Sequence, residues 1–255
     1  MQKLGHEKLR VYQLSIQYTS WAQNLLAGID SAAAVLDHFD RASESIPDNL
    51  ANGNSRRDRA DRNRFFDASL GSGLESAACL DVCLCKNLMS AEQNTDGKEQ
   101  LARIVRMIMR LREAPIGRVA ESCENYETGN ETAKTNLFHH EQLDVYHIAL
   151  DLVRWVDILI QSPNMKGRYS SRLDKHSTAV VLNIAEGNGR FSSLDHRRFI
   201  DIAYTSAMRT AATLDIMATG EACEQRTLAE GKELLIRLVP LIMGLRGYWD
   251  QSSQE

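Results

Sequence analysis

The chain has 255 residues, 43% hydrophobic and 25% charged, with a formal net charge of −4, which excludes a disordered chain and an overall polycation for nucleic acid. Aromatic residues at 6% and only four prolines fit helices better than a β-sandwich. No segment approaches the roughly 18 uninterrupted apolar residues of a membrane span, the opening residues lack a signal-peptide core, and five cysteines (Cys79, Cys83, Cys85, Cys123, Cys223) form no repeated pair, so reduced thiols and a cytoplasmic location are expected.

The first predicted helix runs from about Leu4 to Ala27, with Leu9, Tyr12, Ile16, Leu25 and Leu26 at helical spacing, and Gly28 closes it. The second spans about Ser31 to Asn52, with Val35, Leu36, Phe39, Ala42, Ile46 and Leu50 inward and Gly53 as its stop. Pro47 falls inside it and predicts a kink, as Pro240 does near the other end of the chain. The third helix begins at Asp58 and ends near Ser90, and the fourth covers about Gly97 to Glu113. Four helices with short connections pack most economically as an up-down bundle.

A polar segment follows, rich in glutamate and containing Gly129-Asn130, which reads as a linker. The chain then repeats itself at an offset of 134 residues. Glu7-x-Leu9-x-Val11-Tyr12 returns as Glu141-x-Leu143-x-Val145-Tyr146, and Trp21 returns as Trp155. Asn49 and Gly53 return as Asn183 and Gly187, Ala77-Ala-x-Leu-Asp81 as Ala211-Ala-x-Leu-Asp215, and Gly97-Lys-Glu99 as Gly231-Lys-Glu233. Self-similarity at a fixed offset is the mark of duplication. The expected fold is all-α, two tandem up-down four-helix bundles: residues 1–115, a linker at 116–136, and residues 137–255. Ser192-x-x-Asp195 predicts a cap for the third helix of the second copy.

The stretch Asn183-Ile-Ala-Glu-Gly-Asn-Gly-Arg190-Phe-Ser192, followed by Phe199, resembles the signature of the four-helix-bundle proteins encoded in intervening sequences of bacterial 23S rRNA genes. Ser45-Ile-Pro-x-Asn49-Leu-Ala and Gly71-Ser-Gly-Leu-Glu75 carry a different part of that signature in the first copy. Relatives of this family include the accessory variability determinant of diversity-generating retroelements. The resemblance implies a non-catalytic adaptor that forms homo-oligomers and binds a protein partner, a reverse transcriptase being the expected one, together with RNA. The alternative is a self-assembling structural protein that binds no nucleic acid.

Candidate binding residues follow from charge. Arg56, Arg57, Arg59, Arg62 and Arg64 form the densest basic cluster, and Arg190, Arg197 and Arg198 occupy the same region of the second copy. Arg103, Arg106 and Arg110 share one face of the fourth helix. Guanidinium groups grip phosphates and carboxylates through paired donors, although Asp58, Asp61 and Asp67 interleave and offer a solvated ion-paired face instead. Asn49, Gly53, Asn183 and Gly187 read as structural, the amides satisfying carbonyls freed near a helix end. Cys79 and Cys83 read as core filling rather than metal ligands, and the histidine shared by both copies, His6 and His140, is expected at the bundle rim. No phosphate loop, nucleophile motif or repeated carboxylate pair points to an enzyme or a cofactor.

Overall fold

The computed structural model describes residues 4–114, 137–162, 165, 167–219 and 223–252. The linker expected at 116–136 and Cys123 lie outside them. A 3₁₀ turn at His6–Lys8 leads through extended Leu9 into α1, Arg10–Ala27. The first helix thus starts one to two turns later than its apolar spacing predicts. Next come α2 (Ala34–Asn54), α3 (Arg59–Cys85) and α4 (Ala91–Glu113). The second copy supplies a 3₁₀ turn at His139–Gln142, then α5 (Asp144–Ile160), α6 (Gly167–Asn188), α7 (Ser193–Thr219) and α8 (Gln225–Ser252). Each set of four closes a bundle in which sequential helices are neighbours and the last packs on the first.

Local chemistry sets the helix starts. The Asp58 carboxylate accepts the Asp61 N–H at 2.9 Å, satisfying one of the orphan donors of α3. Ser90 and Gln93 form a reciprocal capping box, with Ser90 Oγ accepting from the Gln93 N–H and Gln93 Oε1 accepting from the Ser90 N–H. That box moves the start of α4 two turns ahead of Gly97. Ser192 caps α7 more loosely, its hydroxyl accepting the Asp195 N–H at 3.4 Å.

The duplication reappears as duplicated packing. Trp21 lies against Gly97 where α1 meets α4, and Trp155 lies against Gly231 at the equivalent place. Lys98 pairs with Asp81, as Lys232 does with Asp215. Arg112 pairs with Asp67 at 2.6 Å, and Arg246 with Asp201 at 2.7 Å. His6 stands edge-on to Tyr12 with centroids 4.8 Å apart, and His140 to Tyr146 at 4.7 Å.

Gly53 and Gly187 are not helix stops. Both lie inside helices that run on to Asn54 and Asn188 without a left-handed residue. Their missing Cβ makes room for the next helix: at Gly53 it would meet the Phe66 ring at 2.5 Å, and at Gly187 the Phe199 Cβ at 3.1 Å. Asn49 and Asn183 donate to the carbonyls of Ser45 and Ala179, at 2.8 and 2.7 Å. Those carbonyls lie one turn back in each helix rather than at its end.

α3 is the most enveloped helix. Its buried residues occupy every side of the cylinder, including Ser69, Gly71, Ser72, Gly73, Ser76, Ala77 and Ala78. A helix apolar or small all round belongs between layers rather than on a surface. Among the described residues α3 alone is long and apolar enough to cross a membrane, and 72% of that window is buried inside the protein. The layer outside it is the second bundle: α3 packs on α5 and α6, and α2 packs on α6.

Candidate functional site: the arginine end and the bundle junction

The antiparallel return of α4 along α3 brings the start of one beside the end of the other. Arg59 reaches the Glu113 carbonyl at 3.5 Å, and Arg62 the Ala114 carbonyl at 2.6 Å. This end of the first bundle therefore collects Arg56, Arg57, Arg59 and Arg64 from the α2–α3 turn and the start of α3, all exposed, with exposed Arg110 one turn before Glu113 on α4. Arg106 and Arg103, also exposed, continue the row along α4. The Arg56 guanidinium lies over the Phe65 ring at 4.8 Å, a stacking that holds its plane while leaving it accessible.

Two of the expected binding arginines have other roles. Arg62 is 4% exposed, donates to Ala114 and lies over Phe66. Burial, with Arg59 nearby, lowers its pKa from the ordinary value. It closes the end of the bundle instead of facing a partner. Arg190 is drawn into the junction between bundles, where it pairs with Glu186, lies over Phe199 at 4.7 Å and packs on Gly71. An added Cβ on Gly71 would meet the Arg190 Nη2 at 2.7 Å, so the arginine occupies the space that glycine leaves. Arg197 and Arg198 are exposed on α7, away from the first cluster.

The junction encloses several charged side chains. Lys86, 1% exposed at its side chain, pairs closely with Asp174 and lies 3.8 Å from Asp157. Asp174 also accepts the Ala34 N–H at 2.7 Å, tying the start of α2 to α6. Burial raises the Asp157 carboxyl, opposed by Lys86. Glu186 is pushed up to about 7 by burial first and by Glu75 across the interface second, against the pull of Arg190. Phe191, on the turn after Arg190, lies under the Arg112 guanidinium at 3.8 Å.

His140 does not sit at a rim. It is wholly buried, and burial beside Lys98 drives its pKa down to about 3, so the imidazole is neutral. Its counterpart His6 is half-buried. Among the described residues one group could face a cation: the ligand atoms of Asp81, His140 and Glu141 lie within 4.8 Å of one another. Lys98 already bridges the two carboxylates, at 2.5 and 2.9 Å, and Tyr146 donates to Asp81 at 2.9 Å. The protein's own ammonium group thus already occupies the position between the two carboxylates. Cys79 and Cys83 lie in the core as free thiols, and burial pushes Cys83 up to about 12.

Sequence reasoning missed this junction. The signal available was the small-residue run of α3, Ser69 to Ala78, which its counterpart on α7 only partly shares.

No curated protein and no solved structure matches the chain. One family model does, that of the 23S rRNA-intervening sequence protein, and it matches twice, over residues 7–110 and 141–244. The two matches begin 134 residues apart, the offset at which the helices, caps and ion pairs repeat, and together they cover most of the chain. The chain therefore belongs to the 23S rRNA-intervening sequence protein family and carries the family's helical unit twice in tandem.

Proposed function

We propose that the chain is a non-catalytic adaptor whose first bundle grips an anionic partner through its arginine end. The observation that carries this reading is the convergence of Arg56, Arg57, Arg59, Arg64 and Arg110 at one end, built by the antiparallel packing of α3 and α4. Asp58 is the one acid there committed to a helix cap. Accessible guanidinium groups on rigid helix ends suit the phosphates of RNA, and such contacts carry affinity rather than sequence choice. The resemblance noted from the sequence makes a reverse transcriptase the expected protein partner, with the RNA presented to it.

An adaptor role is also supported by what the junction acids do. Glu186 is held by Arg190 and packed between the bundles, and Asp81 is occupied by Lys98 and Tyr146. Both carboxylates are thus engaged by protein partners inside the molecule, whereas a general acid or base must lie within hydrogen-bond reach of a substrate proton. Unpaired buried thiols favour the reducing cytoplasm as its home.

Fluorescence anisotropy with labelled single-stranded RNA tests the phosphate reading. Binding should weaken with salt and fall at least tenfold in a variant carrying Arg56→Glu, Arg57→Glu, Arg59→Glu and Arg64→Glu, while Arg209→Glu leaves it unchanged. Absence of binding at low salt, or equal loss in both variants, would sink it. Capture from the native host with the same variant pair identifies the protein partner by its loss in the first variant alone.

A further inference from the structure

Packing of α5 on α3 brings the 3₁₀ turn that opens the second bundle to Asp81 of the first. Tyr146, in the first turn of α5, fixes the approach by donating to Asp81 Oδ2 at 2.9 Å. The other oxygen of that carboxylate, Oδ1, and Glu141 Oε1 converge on the Lys98 ammonium at 2.5 and 2.9 Å. His140 completes the group, with a ring nitrogen within 4.8 Å of an oxygen of each carboxylate.

The ammonium leaves this group incomplete in two respects. Two carboxylates face one ammonium, so a formal negative charge remains. His140 is wholly buried, yet neither of its ring nitrogens has a hydrogen-bond partner in the protein. Burying a polar group without a partner is costly, because the hydrogen bonds it made to water are not replaced. A neutral imidazole offers one nitrogen lone pair, and here that ring stands beside two carboxylates, which is the make-up of a metal ligand set.

We propose that Asp81, His140 and Glu141 bind a divalent cation of the zinc class, which displaces the Lys98 ammonium and ties the first bundle to the second. One imidazole nitrogen with two carboxylate oxygens suits zinc and its transition-metal neighbours, whereas magnesium and calcium favour oxygen alone. Both carboxylate oxygens already converge on one cationic nitrogen, so the ion enters close to the place that nitrogen holds. Ligand atoms about 2.0–2.2 Å from zinc stand about 3.4 Å apart in a tetrahedron, so the three groups close in around the ion. A water takes the fourth position. Lys98 has an exit, since its side chain is 19% exposed on a flexible stem, and Glu141, at 27%, opens the same edge to the entering ion.

The duplication supplies an internal contrast. Asp215 and Lys232 repeat the pair of Asp81 and Lys98, at 2.7 Å, but Asp215 is 69% exposed at its side chain. His6 and Glu7 repeat the histidine and glutamate, but Glu7 accepts the Leu4 N–H at 2.6 Å. Among the described residues neither half gathers three ligands by itself. The site exists where α3 of one bundle meets the opening turn of the other, so occupancy and the joining of the bundles are coupled. Asp81 and Lys98 lie toward the end of α3 and the start of α4, opposite the arginine end. The site stands whether or not that end binds RNA.

Cobalt(II) titrated into the chelator-stripped full chain tests this, with zinc as competitor. The wild type should show saturable visible d–d bands of a four-coordinate ion, with no thiolate-to-cobalt charge transfer, and zinc should abolish them. His140→Gln and Glu141→Gln should each weaken binding at least tenfold, while Asp215→Asn, at the counterpart position, leaves it unchanged. Lys98→Met should tighten binding at least tenfold because the competing charge is gone, and zinc should raise its unfolding temperature more than that of the wild type. If His140→Gln does not fold, Glu141→Gln, whose side chain is partly exposed, and Lys98→Met decide the matter. No saturable binding up to about 1 mM metal would overturn the proposal. So would a charge-transfer band that puts the metal on a cysteine, binding unchanged in the ligand variants, or a Lys98→Met protein that binds no tighter.

Discussion

Lys86 and Asp174 form an ion pair that joins the two bundles with both side chains nearly removed from water, 1% and 8% exposed. Lys86 caps the last turn of α3, where a positive charge also meets the negative end of the helix dipole. Asp174 lies on α6, beside Asp157 of α5. Coulomb attraction here is offset by desolvation of both charges, but removal of one partner leaves the other buried and alone. Lys86→Met should therefore destabilise the protein by about 3–5 kcal/mol, since it strands two acids. Asp174→Asn should cost less because Asp157 still faces the ammonium. Lys86→Met with Asp174→Leu should recover most of the loss. Denaturant unfolding of the three variants measures each step, and a double variant as unstable as Lys86→Met alone would refute the pairing.

Stability should pass through a maximum in mildly acidic solution, because two junction groups titrate with opposite sign. Glu186 is raised from 4.5 to about 7. A carboxyl with a raised folded pKa supports the fold below its unfolded value and withdraws that support as pH climbs through the folded one. Stability falls between about 4.5 and about 7, by an amount on the order of 2–3 kcal/mol. His140 is lowered from 6.5 to about 3, so the unfolded chain takes up its proton first. Its contribution is whole above 6.5 and is lost as pH falls toward 3. Glu186→Gln should remove the decline toward neutrality, and His140→Gln should soften the acid limb. Urea midpoints across this range check both, and an unchanged profile in either variant would count against the assigned cause.

The bundle plan was legible because it is local and repeated. Apolar spacing gives α1 to α4, and the offset identity of Trp21 with Trp155 or Asp81 with Asp215 gives the second set. Helix stops were less legible. Gly53 stands near a helix end and invites a stop, but contact with Phe66 of α3, a long-range fact, is what requires glycine. The junction was least legible of all. Glu186 and Asn52 are simply different residues at one repeat position until α3 is seen to cover one and leave the other in solvent. Arg62 and Arg190 looked like surface charge for the same reason, since a run of arginines says nothing about which of them a carbonyl or a glycine will draw inward.

Disrupting the arginine end without touching the core offers a separate check on the geometry. Phe191 extends from the second bundle to lie 3.8 Å under the Arg112 guanidinium, which also pairs with Asp67. Phe191→Ala removes the stacking partner but leaves the ion pair. The expected loss is about 0.5–1 kcal/mol, because the ring is half in solvent. Arg112→Ala removes both contacts and should cost more. An unchanged stability in Phe191→Ala would show that the ring contributes nothing, and equal losses in the two variants would show the same of the ion pair with Asp67.

Glycines at Gly97 and Gly71 make opposite predictions from similar distances. An added Cβ at Gly97 would meet the Trp21 ring at 2.6 Å and Leu80 Cδ1 at 2.8 Å. Trp21 is wedged between α1 and α4, and Leu80 is fully buried, so neither can yield without moving a helix. Overpacking of this kind costs about 1–3 kcal/mol, more than the better helix propensity of alanine returns. Gly231→Ala meets Trp155 in the same way and should match it. At Gly71 the obstacle is the guanidinium of Arg190, the far end of a flexible side chain, at 2.7 Å. It can swing aside while keeping Glu186, so Gly71→Ala should change stability by less than about 1 kcal/mol, with propensity gain against lost packing. Thermal unfolding of Gly97→Ala, Gly231→Ala and Gly71→Ala side by side decides the matter. A Gly71→Ala protein as damaged as the other two would mean that Arg190 is fixed in place and that the junction tolerates no slack there.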